Sequence, residues 1–136
     1  MRKPRVVRDE ELAWEPGIEP PLQNKKGIGL KTVDNPKLQM HRTYIPPGGR
    51  NQRHYHVKSD AGMFVLKGNL KIFFGPDYEI EEILAKEGDF VFAPAGVIHG
   101  LMNISNTEPA ELITTKNNVS SPKEGETVFV EPSWVK

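Results

Sequence analysis

An all-β domain, a sandwich or a small barrel, is the fold class this sequence predicts. Twelve glycines and twelve prolines punctuate the chain at short intervals, so no long window keeps helical periodicity without a breaker. Between the breakers lie about ten short runs with strand character. No helical segment of the kind that βαβ units require separates them. With 136 residues, the chain is long enough for one domain with its own core, burying roughly two-thirds of the surface its unfolded form exposes.

Taken in order, residues 1–24 are charged and proline-bearing (WEPGIEPPLQN), with Leu12, Trp14 and Ile18 as their substantial apolar anchors. This composition reads as an N-terminal arm, and residues 25–136 as the barrel domain. Strands are expected at 28–33 (IGLKTV), 38–45 (LQMHRTYI), 52–57 (QRHYHV), 63–68 (MFVLKG) and 70–74 (LKIFF), with PPGG and GNL as turns. A second set follows at 78–84 (YEIEEIL), 89–93 (DFVFA), 97–103 (VIHGLMN), 110–116 (AELITTK) and 127–131 (TVFVE). The acidic run EIEE reads as a solvated strand edge that discourages unwanted pairing. Phe64, Phe73, Phe74, Phe90 and Phe92 are expected mostly in the core, and Met63 and Met102 as packing groups.

Eighteen basic and eighteen acidic side chains cancel, so no global field draws the chain to nucleic acid or to anionic lipid. A small-molecule partner is the expectation. Zero cysteines exclude disulfides and thiolate metal sites and suit a reducing cytosol. No apolar run approaches about 18 residues, and the basic N-terminus lacks a signal-like apolar stretch. The expected location is cytoplasmic, away from membranes. Trp14, Phe129 and Trp134 are apolar groups that a small barrel leaves uncovered, which predicts a homodimer.

Two stretches carry chemistry. In QRHYHVKSDAGMFVLKG, residues 52–68, His54 and His56 stand two apart and so share a strand face. In EGDFVFAPAGVIHGLMN, residues 87–103, Gly88, Pro94, Gly96, His99 and Asn103 form the pattern Gly-x5-Pro-x-Gly-x2-His-x3-Asn. That pattern resembles the second signature of the cupin superfamily at every fixed position. The first signature of that family, Gly-x5-His-x-His-x3-4-Glu-x6-Gly, is met more loosely by Gly48 or Gly49, His54, His56 and Gly68. Its glutamate is replaced by Ala61.

The resemblance implies a cupin-type jelly-roll β-barrel holding one divalent metal. It further implies His54, His56 and His99 as the ligands, a three-histidine variant of the metal site. Neutral imidazoles suit iron(II), the favoured ion, as well as zinc, nickel, manganese or copper. Asp60 replaces the missing acid only if a bulge turns it inward. Gln52 is in phase with both histidines and is expected to line the substrate pocket. Arg42 and Tyr44 alternate on one face of their strand. If that face is interior, Arg42 binds a substrate carboxylate through a forked hydrogen bond and Tyr44 is the available catalytic base; otherwise both are solvated. His41 has no partner at ligand spacing and is left outside the site.

With no carboxylate ligand, the ion keeps its full charge and open positions, which favours a small bidentate anionic substrate. The expected function is a mononuclear metal enzyme of dioxygenase type. An isomerase or lyase and a non-catalytic metabolite-binding module are the alternatives.

Overall fold

The computed structural model describes residues 3–16, 22–119 and 125–130. Ile18 and Trp134, two of the expected apolar anchors, lie outside the described residues. Among those described, a short 3₁₀ turn (Asp9–Glu11) precedes eleven strands: β1 Glu15–Pro16, β2 Gln23–Ile28, β3 Leu38–Ile45, β4 His54–His56, β5 Ala61–Lys67, β6 Asn69–Phe74, β7 Glu81–Lys86, β8 Phe90–Ala93, β9 His99–Asn103, β10 Ala110–Asn117 and β11 Thr127–Phe129. One sheet has the order β1-β2-β3-β10-β5-β8 and the other β11-β4-β9-β6-β7. The ladders between the described strands are antiparallel. This is the jelly-roll arrangement that the sequence predicts.

Alternation decides which side chains fill the space between the sheets. On β5, Ala61, Met63 and Val65 are buried at 1%, 7% and 0% exposure, while Gly62 and Phe64 face outward in the opposite phase. Facing partners in the ladder, Val91 on β8 and Leu112 on β10, are buried in the same layer. Leu22, Ile45, Leu70, Ile72, Ala85, Leu101 and Ala110 also belong to the core. Val91 and Ala93 hold the inner phase of β8, so Phe90 and Phe92 are turned out to 82% and 66% exposure. Both phenylalanines are therefore surface groups rather than core. Phe73, at 6%, is buried as expected.

The expected strand at 28–33 is displaced. The strand occupies Gln23–Ile28 instead, and the chain turns at Gly29, whose carbonyl accepts the backbone N–H groups of Thr32 and Val33 at 3.1 Å. The cavity-lining positions of β2 are the polar Asn24 and the exposed Lys26, so no apolar alternation marks it. β1, within the segment read as an arm, pairs with β2 through Glu15 and Asn24. Trp14 packs edge-on against Tyr44 at 6.2 Å, with Lys25 and Arg42 over its ring. The acidic strand β7 lies at a sheet edge, with Glu81 and Glu82 exposed.

Two of the fixed positions in the sequence patterns have clear physical reasons. Gly68 has φ +96°, and a Cβ there would lie 2.6 Å from that of Ala110, so the β5–β6 turn admits only glycine. Asn103 is 1% exposed. Its Nδ2 donates to the carbonyls of Ile45, Pro46 and Glu108 at 2.8–3.2 Å, and its Oδ1 accepts the Ser105 N–H at 3.0 Å. One buried amide thereby pins the ends of β3 and β9 together.

Candidate metal centre

His54 and His56 project from β4 in the same phase, and His54 lies directly opposite His99 in the β4–β9 ladder. The three rings converge, with centroids 4.5 Å apart for His54–His99, 4.9 Å for His54–His56 and 5.3 Å for His56–His99. One ring nitrogen of each lies within 4.8 Å of the others. All three residues are nearly buried, at 6–9% exposure. The turn before β9 is fixed to β4 by the Gly96 N–H, which donates to the His56 carbonyl at 2.8 Å.

The outer nitrogens are already committed. Nδ1–H of His54 donates to the Gln52 carbonyl at 2.7 Å and Nδ1–H of His99 to the Val97 carbonyl at 3.0 Å. A carbonyl only accepts, so both rings carry their proton on Nδ1 and keep the Nε2 lone pair free. His56 Nδ1 meets the Thr127 hydroxyl at 3.1 Å. This outer support is the kind that orients metal-binding imidazoles, and the donor set fits a divalent ion.

Burial is the leading cause that lowers the basicity of these rings. His54 falls to about 4, with the neighbouring His99 and Lys116 adding to the effect. His56 falls to about 3, with Lys116 as the next cause. His99 is lowered by burial and by Lys116. Below the ordinary 6.5 the unfolded chain therefore binds protons that the folded chain refuses. Stability of the chelator-treated protein is expected to be highest above about pH 6.5 and to fall as pH drops from there towards 4. Thermal melts across that range test this, and a melting temperature flat between the two values would contradict it.

The rings line a cavity of about 300 Å³ between the two sheets. Gln52 lines it, and so does Ala61, so the residue in the place of an acid does face the imidazoles. Asp60 does not. It is exposed, and its Oδ1 accepts the Ala95 N–H at 2.8 Å, tethering the turn ahead of β9. Arg42 and Tyr44 occupy the outer face of β3. Arg42 grips Glu111 with contacts of 3.1–3.3 Å, and Tyr44 meets Trp14 edge-on. Neither meets the imidazoles, because the inner phase of the strand belongs to His41 and Thr43.

Sequence reasoning left His41 out, yet it faces the cavity, lowered to about 4 by burial and by the charges of Lys116 and Lys26. The available signal was Ile45, in phase with His41 and Thr43, but Met40 and Tyr44 give the opposite phase equal apolar weight. Lys116, Lys26 and Asn24 on the cavity wall were also missed. Phe129 lies 5.9 Å from His54 and lines the same cavity, 43% exposed.

Comparison with known proteins now decides the family. The cupin domain family matches residues 41–116. The chain is a cupin. Among curated relatives, a germin-like protein (subfamily 2 member 4) of Arabidopsis thaliana is 30% identical over 95 residues, 69% of this chain and 42% of its own length. The germin-like protein subfamily T member 3 of the same plant is 27% identical over 129 residues, 85% of this chain and 55% of its own. This cupin thus spans about half the length of those relatives. Among solved structures, oxalate oxidase is similar at TM-score 0.68 and 19% identity, over 85% of this chain and 60% of that one. KdgF from Halomonas sp. is similar at the same score and identity, over 85% of this chain and 94% of its own. At these identities the structural likeness concerns the fold. Among the described residues, no helix is long and apolar enough to cross a membrane.

Proposed function

We propose that this cupin is an enzyme whose His54, His56 and His99 hold one divalent ion, with iron(II) favoured, for dioxygenase-type chemistry on a small bidentate anion. The observation that carries this reading is the convergence of three imidazoles whose Nδ1 atoms are held from outside, inside a cavity lined by no Asp or Glu among the described residues. Such an ion would supply a Lewis acid with open positions for two substrate oxygens and a site of dioxygen activation. The protein's own groups do the rest. Gln52 and Thr127 orient the rings, Met63, Leu101 and Leu112 restrict water, and Asn24 and Thr43 offer polar contacts on the facing wall.

Isomerase or lyase chemistry needs a proton acceptor within reach of the substrate. With Tyr44 facing outward, His41 is the group placed for that role. The test is metal analysis of protein purified without chelator, followed by oxygen uptake with β-diketones, catechols and hydroxy acids. Bound iron with substrate-dependent uptake supports the dioxygenase. Tight metabolite binding without turnover would replace it with a binding module.

For assembly, we place the contact of a homodimer at β8, an edge strand whose outer Phe90 stacks on Phe64 at 4.9 Å. Phe90→Lys is expected to shift the sedimenting species from dimer to monomer. A wild-type protein already monomeric at micromolar concentration would contradict the assignment. A cytoplasmic placement is part of this proposal, and the lack of cysteine is compatible with it.

A further inference from the structure

The wall facing the imidazoles is basic. Lys26 on β2 lies opposite His41 on β3, and His41 opposite Thr114 on β10. All three line the cavity. Two residues further along β10, in the same phase, Lys116 also lines it and sits opposite Ala61 on β5. These two cations differ in exposure and in partners. Lys26, its side chain 67% exposed, has a carboxylate neighbour, Glu15 at 3.3 Å. Lys116 is half-buried and has no ion-pair or hydrogen-bond partner recorded among the described residues. Lys116 and the three histidines line the same cavity.

Removing an ammonium from water without a counter-charge is unfavourable. Of the two ladder partners of Lys116, Ala61 on β5 offers only a methyl group and Gln39 on β3 carries no charge. A ligand that supplies the missing negative charge would satisfy Lys116 with a charge-assisted hydrogen bond. The cavity volume of about 300 Å³ lies at the small end of small-molecule sites.

We propose that Lys116, supported by Lys26 and His41, seats a second anionic group of the substrate, so that the preferred ligand is a small dicarboxylate spanning the gap between the sheets. One end would be held at the three-histidine centre on the β4–β9 sheet. The other carboxylate would reach Lys116 on the facing sheet. This rests on the metal-site reading above and narrows its substrate class.

The experiment compares two-oxygen chelators with and without a distal carboxylate on nickel(II)-loaded protein, a readout of binding rather than of dioxygenase activity. Oxaloacetate and 2-oxoglutarate are measured by calorimetry against 2-oxobutanoate and 2-oxopentanoate. The wild type is expected to prefer at least one dianion over its monoanionic counterpart by roughly ten- to a hundredfold, the range of a charge-assisted hydrogen bond. Lys116→Met and Lys116→Gln should each keep nickel and the monoanions while losing that preference, and Lys116→Arg should retain most of it. Thermal melts of the loaded variants establish that they are folded. Equal affinity for dianion and monoanion in the wild type, or a preference that survives in folded Lys116→Met and Lys116→Gln, overturns the assignment to Lys116 and leaves the metal centre standing. Failure of the wild type to take up nickel overturns the metal centre and this inference with it.

Discussion

His99→Ala is expected to weaken retention of a divalent ion by more than about a hundredfold, since loss of an outer partner alone costs ten- to a hundredfold in such sites. The ring of His99 is the contribution of β9 to the centre and lies 4.5 Å from that of His54, its direct ladder partner. Deleting it leaves two imidazoles from a single strand, which cannot enclose an ion from two sides. The Val97 carbonyl that accepts the His99 proton loses its partner at the same time. Competition with a chromogenic chelator measures the effect. Thr127→Val, which removes only the hydroxyl beside His56 Nδ1, is expected to cost about tenfold. A folded His99→Ala protein that retains nickel as the wild type does would remove the basis of the proposed enzyme.

Ala61→Glu is expected to act in the other direction on the ion. Residue 61 is 1% exposed, lines the cavity and lies across the ladder from Lys116. A carboxylate there adds a negative donor to a neutral set and should tighten ion retention by at least about tenfold. The same carboxylate competes for the Lys116 ammonium, so affinity for an anionic ligand should fall by a similar factor. Enlarging a packed position costs about 1–3 kcal/mol, which thermal melts of the ion-free protein would register. If ion affinity stays unchanged, the new acid has been captured by Lys116. The double variant Ala61→Glu with Lys116→Met should then recover the gain, and its failure to do so would show that residue 61 cannot reach the ion.

Legibility in the sequence followed the physics of each element. β3 was readable to the residue, because Leu38–Ile45 is bounded by a proline on either side, Pro36 before and Pro46 after. The three histidines were readable because spacing alone places two of them on one face, and a dense run of turn residues precedes the third. β2 was not readable, since its inner face is Asn24 and Lys26, and a polar lining gives no alternation to detect. The same reason hid Lys116. On β10 it continues the inner phase set by Leu112 and Thr114, but a lysine near a strand end reads as solvated in any sequence. Phase was the other obstacle. FVFA on β8 and LQMHRTYI on β3 carry apolar groups in both registers, and only the ladder partners, Ala61 and Met63 for β8 and Leu112 and Thr114 for β3, show which register faces inward.

The three imidazole donors all come from β4 and β9, neighbouring strands of one sheet, while Lys116 comes from the sheet across the gap. A breathing motion that parts the two layers would therefore stretch the grip on a bridging molecule without distorting the nest of nitrogens. Exchange of organic cargo and loss of the inorganic ion would then proceed by separate routes, the first through slackening of the clam-like gap and the second through rupture of the β4–β9 seam.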